Sequence, residues 1–153
     1  MASSQGDPSR NRPSTHAARP AAVDRLVVSL PHDPRAPARA RRSLEPVATE
    51  RQLDDEFNAR LALIVTELVT NAVVYGTEPV TPTVSWQPGE VTVEVTDGDP
   101  RSESVRIREV DAPVRGRRPG GRGLTLVAAM ADEWGLRRER SGKTVWARCT
   151  YAT

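Results

Sequence analysis

The sequence predicts an α+β domain, a two-layer sandwich in which helices cover one face of a mixed, mostly antiparallel sheet. Three observations carry that expectation. Apolar residues recur at helical spacing from about Asp54 to Tyr75, through Phe57, Leu61, Ile64, Val65, Leu68, Val69 and Ala72. Two alternating segments, TVSWQ and VTVEVTD, flank Pro88-Gly89 as the arms of a hairpin would. Finally, the segments follow one another in the order β, α, α, β, β, loop, α, β, β.

Taken in order, RLVVSL (25–30) reads as a first strand closed by Pro31. The following DPRAPARARRSL reads as a helix with Asp33 at the N-cap and Pro34 at the first helical position. Pro37 and Pro46 should make it short or kinked. The long helix comes next, and Gly76 stands at its natural stop. In the hairpin Val91, Val93, Val95 and Asp97 share one face, so Asp97 ends an apolar stripe. The 21 residues between Gly98 and Gly120 show little periodicity, and a connection of that length in a small domain is usually functional or mobile. GLTLVAAMADEW reads as a third helix starting at Gly123, and WGLRRER and KTVWARCTY close the fold as a hairpin around Ser141-Gly142.

A chain of 153 residues suits one domain with one core. Residues 1–22 hold no aromatic side chain and, apart from Met1, nothing aliphatic larger than Ala, so they are expected to form a disordered tail before a domain at 23–153. The net charge is +2, and Arg10, Arg12, Arg19 and Asp7 account for all of it; the rest of the chain is neutral, which argues against direct nucleic-acid binding. The segment RAPARARR is basic, but its proline makes a poor groove-reading helix. One cysteine and two histidines are too few for a Cys/His metal site or a disulfide framework, and no aliphatic run approaches the ~18 residues of a membrane span. A cytoplasmic protein with no membrane partner is expected. Cys149 alternates with Val145, Ala147 and Tyr151 and reads as core, Trp86, Trp134 and Trp146 as packing, and His32 as a loop residue.

Polar chemistry stands in three places where packing would not ask for it. Glu67 and Asn71 lie four residues apart inside the long helix, ~40° from each other at the border of its apolar arc. Both offer oxygen donors suited to Mg²⁺, or Glu67 stays outside the metal's shell as a base. In VTDGDP, Asp97 follows alternation into the interior, where a carboxylate needs a hydrogen-bond donor such as a purine's exocyclic amine. In PGGRGLTLV, Gly120, Gly121 and Gly123 precede a helix whose N-terminal N–H groups suit phosphate. Each feature alone has a plainer reading: a solvated stripe, a turn, a flexible joint. Their combination in this order does not.

ELVTNAVVYG, VTDGDP and GGRGLTLV, with the terminal SGKTVWA, resemble the motifs of the histidine-kinase-like ATPases, the superfamily with the Bergerat ATP-binding fold that includes gyrase. The resemblance runs from about 26 to 151 and is strongest to the stand-alone anti-sigma-factor serine kinases, in particular to actinobacterial ATP-binding regulators. It implies that ATP and Mg²⁺ are the cofactors, Asn71 the metal ligand and Glu67 the catalytic base. It further implies that Asp97, beside Gly98, reads adenine, that Gly121 and Gly123, flanked by Arg122 and Leu124, face the phosphates, and that Thr144 lies near the base. The first glycine motif departs from the family pattern, since Asp-Gly-Asp-Pro lacks the later glycine. Residues 99–119 would form a lid whose Arg115, Arg117 and Arg118, with Arg122, neutralise phosphate.

The resemblance implies a protein serine kinase that binds a sigma factor and phosphorylates a small antagonist protein, and it leaves room for a homodimer. The alternative is a non-catalytic, nucleotide-dependent binding module. Glu67 argues for catalysis, because binding alone requires no base.

Overall fold

A computed structural model of the chain describes residues 24–99 and 123–153. The expected tail at 1–22, the body of the expected lid, and Gly120, Gly121, Arg115, Arg117, Arg118 and Arg122 lie outside the described residues.

The elements follow the expected order: β1 (Asp24–Val27), α1 (Ala36–Glu50), α2 (Asp55–Tyr75), β2 (Thr81–Gln87), β3 (Glu90–Asp97), α3 (Gly123–Met130), β4 (Glu133–Glu139) and β5 (Gly142–Thr150). The five strands form one sheet in the order β1-β2-β3-β5-β4, and every neighbouring pair is antiparallel. The expected α+β sandwich is therefore observed.

α2 is the spine. Asp54 caps it, its carboxylate accepting from the Phe57 N–H at 2.7 Å, and Asp55 and Glu56 favour the positive end of the helix dipole. Its buried stripe, from Phe57 through Ile64 and Leu68 to Ala72, lies over β3 and β5 with α1 and α3 on its flanks. Facing it are Val84, Trp86, Val91, Val93, Val95, Val145, Ala147 and Cys149. By length and hydropathy α2 alone among the described helices could cross a membrane, but that apolarity is spent on covering the sheet.

Several local expectations are corrected. β1 pairs only as far as Val27, and the chain then follows β2 through looser contacts, the Val28 and Leu30 N–H groups donating to the Pro82 and Val80 carbonyls. Asp33 does not cap α1; its carboxylate accepts from the Arg35 N–H at 2.7 Å, a turn that delays the helix to Ala36 and puts Pro37 rather than Pro34 in its first turn. Nor is α1 short, for it runs 15 residues with Pro46 inside it. Pro46 and Arg42 are both exposed, so water can serve the carbonyl that proline leaves without a donor. The third helix ends at Met130, four residues early. There the Arg60 guanidinium donates to the Met130 carbonyl at 2.5 Å and also pairs with Asp132. Asp132 in turn accepts from the Thr150 N–H at 2.6 Å and turns the chain into β4, where Trp134 belongs. The closing turn is Arg140-Ser141, with Gly142 already in β5.

The tryptophans pack as expected. Trp86 is buried under the Arg51 guanidinium, 4.9 Å from the ring centroid, and Trp146 lies flat on Gly135, where a Cβ would come within 2.9 Å of the indole. Burial pushes the Cys149 thiol up, as an unreactive core position requires.

Candidate functional site

The site lies at the C-terminal half of α2, where the helix meets the end of β3. Asn71 is 3% exposed and sits within the core rather than at its solvated border. Three buried side-chain atoms have no hydrogen-bond partner among the described residues: Asn58 Oδ1, Trp86 Nε1 and Asn71 Nδ2. Asn58 lies in the first turn of α2 and Trp86 at the far end of β2, so Asn71 alone brings an unmet polar group to this end. Its neighbours on the helix edge make the contrast plain, because the Thr66 and Thr70 hydroxyls donate to the Ala62 and Thr66 carbonyls at 2.7 Å and are satisfied within the helix. An unmet buried amide costs on the order of 1–3 kcal/mol, which a ligand can relieve. One turn earlier Glu67 is half-buried, and desolvation raises its carboxyl above the ordinary value of 4.5, the direction that suits a base near neutrality.

Asp97 is 2% exposed at the end of the apolar stripe of β3, where alternation predicts it. Its donor, however, comes from the chain itself. Lys143 of β5 stands opposite it in the register, with its Nζ 3.2 Å from Oδ1 and 3.1 Å from Oδ2, and the Asp99 N–H adds a third contact to Oδ1 at 2.8 Å. Three glycines permit close approaches at this corner, one of them to the carboxylate itself. A Cβ on Gly76 would fall 2.5 Å from Asp97 Cγ, one on Gly142 would fall 1.9 Å from the Asp97 carbonyl oxygen, and one on Gly98 would strike the Glu78 carbonyl at 2.0 Å. Gly76 has φ −102°, so it ends α2 through close approach and not through a left-handed turn. His32 fastens this corner from the β1–α1 loop, its Nε2 3.1 Å from the Gly76 carbonyl.

Thr144 is displaced from its expected place. It is buried, but its partner in register is Thr96, one residue before Asp97, and the two hydroxyls share a hydrogen bond of 2.7 Å. Alternation sends both to the face away from the helices and from the Asp97 carboxylate. The residue on the Asp97 face is Lys143. A signal for it was present: Cys149, Ala147 and Val145 mark the buried face of β5, and one more step of two reaches Lys143. Gly123 begins α3, a helix that packs against α2, and Leu124 is buried in the core.

The model of the histidine kinase-like ATPase domain matches residues 30–149. The chain belongs to that family. The match bears out the resemblance read from the sequence and spans the Glu67, Asn71, Asp97 and Gly123 segments. Among solved structures, the RsbU and RsbW domains of Rv1364c from Mycobacterium tuberculosis superpose with a TM-score of 0.62 at 18% identity over 83% of this chain. The chain spans about a third, 32%, of that structure's length. The SiaB-SiaC complex from Pseudomonas aeruginosa contains a chain that superposes with a TM-score of 0.61 at 16% identity, over 80% of this chain and 88% of the other. Both likenesses concern the fold. No curated protein matches in sequence.

Proposed function

We propose that this histidine kinase-like ATPase domain binds ATP with Mg²⁺ at the α2–β3 corner and phosphorylates a serine of a small antagonist protein, acting in the cytoplasm as an anti-sigma-factor-like regulator. The observation that carries the reading is the buried, unmet amide of Asn71 with the desolvated Glu67 carboxylate one turn away. The likeness in fold to structures described as an RsbW domain and a SiaB-SiaC complex supports the class of partner.

The residues fit the cofactor. Mg²⁺ typically takes only one or two protein oxygens and keeps water and phosphate for the rest, so the lack of a Cys/His/Asp/Glu cluster among the described residues does not tell against it. Nδ2 is a donor and cannot ligate the ion, so Asn71 would offer its Oδ1, which is not among the buried unmet atoms. When bound, the ion would neutralise charge on the phosphates. Asn71 would hold it, Asp97 would accept from the adenine amine, Gly98 would accompany Asp97 at the base, and the glycine segment of Gly121, Arg122, Gly123 and Leu124 would offer backbone N–H groups to phosphate oxygens. Glu67 takes the proton of the incoming serine hydroxyl and aims its oxygen.

Two variants test this. Asn71→Ala should lose Mg²⁺-dependent ATP affinity and activity together. Glu67→Gln should still bind ATP and partner while phosphoryl transfer falls by about 10²- to 10⁴-fold. If ATP binds but no phosphate reaches any co-purified antagonist, and Glu67→Gln changes nothing, the domain is a nucleotide-dependent binding module.

A further inference from the structure

Lys143 is wholly buried and its ammonium spans both oxygens of the carboxylate assigned above to the base. We propose that Lys143 is an internal occupant of that carboxylate and sets how tightly the site takes an adenine nucleotide. The proposal rests on the reading of Asp97 as the base-reading group.

The argument is a count of acceptor directions. A carboxylate offers about four. At Oδ1 the Asp99 N–H and Lys143 take two, and at Oδ2 Lys143 takes a third. One direction at Oδ2 is left for an amine. The carboxylate is held in place by Lys143 and the Asp99 N–H, and Gly76 backs onto its Cγ and Oδ2 more closely than a methyl group would allow. A base amine therefore meets an acceptor whose charge the ammonium has already neutralised. Hydrogen bonds to an unneutralised carboxylate are roughly twice as strong as those between neutral groups, so the ammonium weakens base binding. It also keeps the ligand-free protein from carrying an unpaired buried charge, which is costly. Lys143 thus exchanges nucleotide affinity for stability of the empty site.

The test compares the parent with Lys143→Met, which removes the ammonium, and Lys143→Thr, whose shorter hydroxyl still donates to Asp97 should the Met variant fail to fold. Mg-ADP and Mg-GDP are titrated by calorimetry, and melting is followed with and without ADP. Both variants should melt lower when empty, gain a larger ADP-induced shift, and bind ADP about tenfold more tightly. GDP should gain nothing, since its carbonyl meets an unneutralised carboxylate. ADP binding that is unchanged or weaker in a folded variant overturns the role given to Lys143 and leaves the nucleotide reading standing. If neither parent nor variants bind ADP, that reading falls and this one with it.

Discussion

Replacing Gly76 by alanine separates close packing from backbone conformation, because the two make opposite predictions at this residue. At φ −102° an alanine is unstrained, and a glycine replaced at such a position usually stabilises by about 0.4–1 kcal/mol through the unfolded chain. Here the new Cβ would fall 2.5 Å from Asp97 Cγ, 2.6 Å from Oδ2 and 2.6 Å from the Ala72 carbonyl oxygen. None of these is the loose end of a flexible chain. The carboxylate is held by Lys143 and the Asp99 N–H, and the carbonyl belongs to the last turn of α2. Overpacking of this kind costs about 1–3 kcal/mol, so the net effect is a loss of about 1–2 kcal/mol after the unfolded-state gain. Thermal melting should fall by roughly 3–8 °C, and urea midpoints should shift with unchanged slope. Adenine-nucleotide affinity should fall as well, since the displaced group is Asp97. A Gly76→Ala variant as stable as the parent would show that the corner has room, and the arguments from Asp97's confinement would fail.

Asn71→Leu should raise the melting temperature of the ligand-free protein by several degrees, because it removes an unmet buried donor costing on the order of 1–3 kcal/mol, while Mg²⁺-dependent ATP binding disappears; calorimetry and melting report the two. Burial raises the Glu67 carboxyl, so its contribution favours the fold below the unfolded value and is lost as pH rises through the folded one. Glu67→Gln should therefore match the parent near pH 4 and exceed it at pH 7, by no more than about 0.5 kcal/mol for a group still partly in water. Asp132 moves the other way: the Thr150 N–H, with the Thr150 hydroxyl and Arg60, lowers its carboxyl below the ordinary 3.8, and the contribution is present above that value and lost in acid. Asp132→Asn should cost up to about 1 kcal/mol at pH 7 and progressively less below pH 4, read from urea melts across that range.

Much of the fold was legible because it is written in periodicity. The alternation of β3 places Asp97 inside, and the 3.6-residue repeat of α2 puts Asn71 at the border of the apolar arc, where packing against the rest of the fold then buries it. What escaped depended on tertiary contacts. Pro46 looked like a breaker, but sits where the carbonyl it deprives faces water. The end of α3 is decided by Arg60 and Asp132, which are distant in sequence from Met130 and Thr150 respectively. Gly76 and Gly98 were legible as punctuation, but not as the two residues whose missing side chains let α2 and the 77–78 segment approach Asp97. Gly121, Arg122 and the arginines of the expected lid lie outside the described residues.

The sharpest difference between sequence and structure is one residue wide. Family resemblance pointed to Thr144, while strand alternation counted back from Cys149 points to Lys143, and the two lie on opposite faces of β5. The C-terminal half of α2 carries an unmet amide and a desolvated carboxylate, and the end of β3 beyond it a fully buried ion pair with β5. The surrounding core is aliphatic, and a chain selected for stability alone would have continued Val91, Val93 and Val95 with another apolar residue in place of Asp97. Costs concentrated where α2, β3 and β5 converge are what a ligand site built into a core requires. The Lys143–Asp97 pair lowers that cost in the empty protein, at the expense of the nucleotide that would otherwise lower it.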